Sequence, residues 1–447
     1  MTAVQAEFSD LPLLRRALQR VGGIVPALVL AYPLLIWPLV YAVPVVDATT
    51  GLAAAPTAVG DYLLNKLYFP PLFMIALLNF FSNRQALTGP TRVFVASLAI
   101  LLAFCLLSAL WSLAPEITAR RAVLEIIICA TLVLAVVSTP RPIELLTPVF
   151  WLMMVVVAVN LTVVLSRPAG PIGHEGIYSH KNSLGGSAGL AIVVCLYFLS
   201  CGSKVWRAAA VLTIIASFFL LDQSRSKTAT LLAILSPLVA LYFYIICGIC
   251  RIPLVIAIVT SIAAAVLGML VAGAIMDWHI DDVSLWLFND KTFTGRTLIW
   301  QYTIERIQER PWLGYGYSAF WDIGPQSPKF KAPNFIALMA HAHNGYLGFM
   351  LETGITGFLL LLIFLGISLN CIGRMAKLRP SYFIFGTSLA SYGLLANLME
   401  ADLLVPMSQT TMLLPLVSGA AAAFQQWSSG GSDYPLAGGL PERHRRD

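Results

Sequence analysis

The sequence predicts an all-α polytopic membrane protein, and three observations predict it. Of its 447 residues 58% are hydrophobic and only 11% charged, where a soluble domain carries about 25% charged residues. Mean hydropathy is +0.80. The apolar residues fall in runs near the length, about 20 residues, that a helix needs to cross a bilayer core.

Twelve spans are expected, at 23–46, 67–82, 94–112, 120–138, 145–165, 184–201, 207–221, 229–249, 253–275, 344–369, 382–399 and 405–425. The second and seventh are short. The domain reading follows: 1–22, a cytoplasmic N-terminal segment; 23–275, transmembrane helices 1–9; 276–343, a large outward loop with a helical segment; 344–425, transmembrane helices 10–12; 426–447, a disordered Gly/Ser/Pro-rich cytoplasmic tail. The first apolar run is long and lacks a small-residue cleavage site, so no cleavable leader is expected. No internal repeat is visible.

Orientation follows from the positive-inside rule. Arg15, Arg16, Arg20, Arg84, Arg92, Arg141, Lys204, Arg207, Arg251, Arg374, Lys377 and Arg379 fall in alternate links, as do the cations of the tail. These links belong in the cytoplasm. The other set, 47–66, 113–119, 166–183, 222–228, 276–343 and 400–404, then faces outward. Outward links should be poor in cations, yet they hold Arg167, Lys181, Arg225, Lys227, Arg296, Arg306 and Arg310. A broken local rule marks a functional site, and an anionic substrate at the outer face explains this one.

The net charge of +6 is no nucleic-acid signature, because the cations lie between spans rather than on one face. The seven cysteines sit in or beside apolar runs and read as small hydrophobes rather than disulfides. Cys247 and Cys250 form a CxxC, but it ends a span with no helix start after it, which speaks against redox chemistry.

Four polar stretches carry the candidate chemistry. In GPIGHEGIYSHKNSLGG (170–186), His180, Lys181 and Asn182 stand just before a helix start, where glycines and a helix N-terminus favour an anion. In LDQSRSKTATLL, Arg225 and Lys227 lie at a span boundary; a guanidinium fork matches phosphate oxygens. A third stretch, from Thr294 to Glu309, has apolar residues at helical spacing and is expected to form a helix on the outer surface. Arg296 sits in its first turn, against the helix dipole, and so implies a compensating anion. Pro311, Gly314 and Gly316 stop this helix. The fourth, HAHNGYLGFMLETGITG, places His341, His343 and Asn344 where the large loop enters a span, and His serves as a general base near neutral pH. The i, i+2 histidine pair has no HExxH or Cys/Asp cluster beside it, so neither a metal nor a cofactor is expected. Acid/base chemistry with electrostatic stabilisation is the reading, without a covalent intermediate.

At GIYSHKNSLG (176–185), QSRSKTATLL (223–232), FTGRTLIW with PWLGYGYSAF (293–320) and AHNGYLGFMLETGITG (342–357), the chain resembles the O-antigen ligase and polymerase superfamily of bacterial surface-polysaccharide enzymes. The motifs occur in the family's order, each between spans. The resemblance implies a GT-C-like membrane fold and an inverting, metal-independent glycosyltransferase. It implies an undecaprenyl-diphosphate-linked glycan as donor, and transfer at the periplasmic face of the bacterial inner membrane. Carried over by position, Arg225 and Arg296 would clamp the diphosphate and His343 would deprotonate the acceptor hydroxyl. Lys181 and Asn182 would belong to the substrate pocket, with His180, Lys227, His341, Asn344 and Glu352 as weaker members. The acceptor is either another glycan, in exopolysaccharide or O-antigen polymerisation, or lipid A-core, in ligation. The HKN stretch leans towards the exopolysaccharide polymerases.

A different class, a transporter or flippase of lipid-linked or anionic solutes, would place charges near mid-span and show repeat symmetry between halves. Here the charges sit at the outer boundary.

Overall fold

The computed structural model describes residues 12–41, 63–83, 86–276 and 295–429. The expected outward residues 47–62, the start of the large loop at 277–294, Arg84 and the tail from 430 lie outside the described residues.

All described regular structure is helical. The long helices are α1 (Pro12–Ala31), α2 (Leu63–Asn83), α3 (Gly89–Leu107), α4 (Pro115–Val137), α5 (Leu146–Ser166), α6 (Lys181–Cys201), α7 (Lys204–Ser224), α8 (Lys227–Cys250), α9 (Leu254–Met276), α10 (Arg296–Glu309), α11 (Gly345–Leu378), α12 (Pro380–Ala396) and α13 (Gln409–Ser429). Among the described residues, nine helices are long and apolar enough to cross a membrane. The other three expected positions also hold helices, which fall short of that measure. Helix α4 carries Glu116, Arg120, Arg121 and Glu125, α12 has 17 residues, and α13 is polar at both ends.

Several expected boundaries move. The first helix starts at Pro12, so the amphipathic lead-in and the first span are one helix, carried on by a π turn at Tyr32–Ile36 and a last turn at Trp37–Tyr41. The two spans that read as short are full helices of 21 residues. Their ends carry Asn65 and Lys66, or Lys204, Arg207 and Asp222, which an apolar window discounts. Helix α13 runs to Ser429, past the expected end at 425.

Side chains such as Ile262, Leu267 and Leu270 on α9 point outward and remain exposed, as lipid-facing residues do. Inside, a continuous apolar core joins the helices, with Phe150 stacked on Phe198 at 4.4 Å between ring centroids and on Trp206 at 5.8 Å. All seven cysteines are free thiols; Cys105, Cys129, Cys195 and Cys371 are buried, whereas Cys250 is exposed.

The described alternate links are joined to one another at one end of the bundle. Leu113 N–H donates to Tyr315 O, Arg121 Nη2 to Asp322 O and His174 N–H to Gln223 O. Asn182 Nδ2 reaches Glu400, and Gly345 N–H reaches Asn397 O. At the opposite end Gln426 bridges Ala86 O and Thr88 N.

The expected surface helix is α10. Its Ile299 and Tyr302 share a small separate core with Tyr315, Phe320, Trp321, Ile336, Ala342 and Leu351. This core is bolted to α11 where that helix breaks at Gly354 (φ 66°). There Ile355 and Thr356 donate to the carbonyls of Pro311 and Trp312, and Tyr315 and Gly316 donate to Leu351 and Glu352. Arg296 stands three residues before Ile299 of this core, and His343 directly follows its Ala342.

Candidate functional site

A cavity of about 550 Å³ opens among the gathered links. Four separate segments bring polar groups to it: His180 and Asn182 at the start of α6, Ser226 and Thr228 at the start of α8, His341 and His343 before α11, and Glu400 and Asp402 between α12 and α13. Its remaining wall is mixed, with apolar Trp37, Leu190, Leu232 and Val405 beside polar Ser183, Ser408, Gln409 and Thr410. The two helix starts are joined, because Ser226 Oγ donates to Asn182 Oδ1 at 3.1 Å. Both aim the positive ends of their backbone dipoles at the same space.

Glu400 ties the segments together. Its Oε1 accepts from Asn182 Nδ2 at 2.9 Å and from Arg296 Nη2 at 3.3 Å, and its Oε2 lies 3.9 Å from His343 Nδ1. This carboxylate is the anion that Arg296, placed in the first turn of α10, implied. Its loop comes close because position 345 is glycine: a Cβ there would sit 2.1 Å from Asn397 Oδ1. Asn397 Oδ1 in turn accepts from Asp402 N–H at 2.9 Å, shaping the loop.

His343 stands in a left-handed conformation, φ 50°, that non-glycine residues rarely adopt. Its N–H donates to His341 Nδ1 at 3.2 Å, and the two rings lie 4.0 Å apart. His343 Nδ1 is buried and hydrogen-bonds to none of the described residues. Burial, followed by His341, Arg296 and His180, pushes His343 down to about 3. Burial, then Arg296 and His180, pushes His341 to about 4. Both imidazoles are therefore neutral at pH 7, and the His343–Glu400 approach is a polar contact rather than an ion pair. Burial pushes Glu400 the other way, upward, and Arg296 partly opposes it.

The structure thus brings His180, Asn182, His341 and His343 to one cavity, with Arg296 joined to its wall through Glu400. It places the others differently. Lys181 turns aside, and its Nζ donates to Ile172 O at 3.0 Å. Arg225, the left-handed cap of α7, and Lys227 are exposed beside the cavity, while Ser226 between them lines it. Asn344 caps α11, its Oδ1 accepting from Leu347 N–H at 3.0 Å. Glu352 accepts from Ser318 N–H at 2.9 Å and braces the loop from outside the cavity.

Sequence reasoning missed Glu400 and Asp402. The available signal was two carboxylates in a five-residue outward link, overlooked beside the search for cations.

A family model described as O-Antigen ligase matches residues 208–362. That stretch includes the start of α8, Arg296 and the His341–His343 turn. The chain is also 27% identical over 274 residues to the exopolysaccharide production protein ExoQ of Rhizobium meliloti (strain 1021), covering 56% of this chain and 59% of that one. The chain thus spans less than two thirds of the length of this relative. The chain is thus similar, over residues 208–362, to the O-antigen ligase family, and that stretch holds two of the four segments that line the cavity, at Ser226–Thr228 and His341–His343.

Proposed function

We propose that the protein is a multi-pass bacterial inner-membrane glycosyltransferase. It transfers a glycan from undecaprenyl diphosphate to an acceptor hydroxyl at the periplasmic face, with inversion at the anomeric carbon. One observation carries the reading: an amphipathic cavity in which histidines and two helix N-termini meet, with Arg296 paired to Glu400 of its wall. The polar end suits a diphosphate and the apolar part of the wall suits a polyprenyl chain.

Departure of the lipid diphosphate builds negative charge. Arg296 and the helix N-termini stabilise that charge more in the transition state than in the bound substrate, which is what accelerates the step. Arg225 and Lys227 at the rim draw the anion in. His343 takes the proton from the acceptor hydroxyl, and His341 holds its backbone and ring. In the empty site His343 is a weak base, because of burial first, then His341 and Arg296. A bound diphosphate offsets that cation and raises the histidine's proton affinity when it is needed.

The acceptor is a second lipid-linked glycan, making the reaction a polymerisation. The relative's name, an exopolysaccharide production protein, and the HKN stretch at 180–182 support this choice over ligation to lipid A-core. The test is reconstitution of the full chain in liposomes with an undecaprenyl-diphosphate oligosaccharide. Wild type should release undecaprenyl diphosphate and lengthen the glycan, and His343→Ala should do neither. Equal product from His343→Ala would contradict the role of that histidine. Glycan crossing the bilayer unlengthened would favour transport.

A further inference from the structure

The turn that presents Arg225 is gripped from a side that the transfer chemistry does not use. Arg225 ends α7 in a left-handed conformation, φ 51° and ψ 27°, which a non-glycine residue holds only when its surroundings enforce it. Beside the turn's own bonds, Arg225 N–H to Asp222 O and Ser226 N–H to Ser224 Oγ, one grip comes from residues 167–176, between α5 and α6. There Gly173 N–H donates to Gly170 O, and His174 N–H donates to Gln223 O at 2.8 Å. The His174 side chain is buried, and its ring spans the turn. Nδ1 accepts from Gly176 N–H at 3.0 Å, so Nε2 bears the proton and donates to Arg167 O at 3.2 Å. Gly173, at φ 131°, lets the two turns touch: a Cβ there would sit 2.3 Å from the Ser224 carbonyl oxygen and 3.3 Å from Arg225 Cβ. On the far side Ser226 is tied to Asn182. The Gln223–Ser226 turn is thus held from both sides, and His174, which does not line the cavity, is the centre of one grip.

We infer that His174 is a positioning residue for Arg225, fixing where its guanidinium meets the donor's diphosphate. The inference rests on the diphosphate role given to Arg225 above. It names a neutral imidazole, used as a backbone strut, as part of the anion grip.

A double-mutant cycle on the detergent-solubilised full chain tests it, with inorganic pyrophosphate as the probe and calorimetric affinity as the readout. His174→Ala and the volume-preserving His174→Leu should each weaken pyrophosphate binding about tenfold, as loss of the strut's hydrogen bonds allows. His174→Gln, which keeps one acceptor and one donor, should stay within about threefold of wild type. In an Arg225→Ala background the His174 substitutions should add less than about twofold, because coupled residues are non-additive. If Arg225→Ala weakens binding and the His174 losses add to it in full, or are absent, His174 does not act through Arg225. If Arg225→Ala binds pyrophosphate as wild type does, the diphosphate role of Arg225 fails, and the inference fails with it.

Discussion

Arg296 and Glu400, 104 residues apart in the chain, pair at 3.3 Å at the wall of the cavity that Glu400 lines. In the proposed function the carboxylate occupies the arginine that a diphosphate needs, and the pair is the charge-balanced resting state. Glu400→Gln should free Arg296 and remove a like charge from the anion's path. Affinity for inorganic pyrophosphate should rise about threefold to tenfold, while turnover falls because Asn182 and His343 lose their shared reference. Weaker pyrophosphate binding by this variant would show that Glu400 supports the anion instead of competing with it.

Removal of the proposed base should leave substrate binding largely intact. His343→Gln is expected to lower kcat by about 10²–10³-fold, within the range of lost general-base catalysis, and to change KM little. A rise in KM with kcat preserved would recast His343 as a binding residue.

The histidines set a pH dependence whose sign can be worked out. In the empty protein burial and Arg296 hold His343 near 3 and His341 near 4. A bound diphosphate stabilises their protonated forms and so raises both values. Binding is then coupled to proton uptake, and it tightens as pH falls through the raised, bound-state values. Pyrophosphate affinity measured from pH 8 to 5 should rise more steeply for wild type than for the His341→Gln, His343→Gln double variant. The difference cancels the titration of the probe itself. Parallel curves would rule out the coupling.

Gly345 offers a test of geometry. A methyl group there meets Asn397 Oδ1 at 2.1 Å and must push away the loop that carries Glu400. Gly345→Ala should keep its helix content by circular dichroism yet lose at least about tenfold in transfer. A fully active Gly345→Ala protein would mean that the position of Glu400 matters little.

Nine membrane-length helices among the described residues, the helix at Arg296–Glu309 and the need of Arg296 for a counter-anion were legible in the sequence. Each rests on local composition or on period. Glu400 was not, because its meaning lies in a contact between links 104 residues apart, and no local pattern reports that. The left-handed turns at Arg225 and His343 were hidden as well, since neither position is a glycine. Lys181 was over-read for a related reason. Its place beside a helix start suggests an anion ligand, yet the side chain folds back onto Ile172 O. The helix ends slipped where Asn, Lys or Asp stands inside a helix that hydropathy alone would shorten.

The most direct test is a structure of the full chain in a lipid nanodisc with an undecaprenyl-diphosphate disaccharide bound. The two phosphorus atoms should lie in the cavity, with phosphate oxygens within hydrogen-bond reach of Arg296 and the starts of α6 and α8, and with His343 beside the anomeric carbon. A diphosphate bound at the opposite end of the bundle, or clear of Arg296 and His343, would contradict the proposed site.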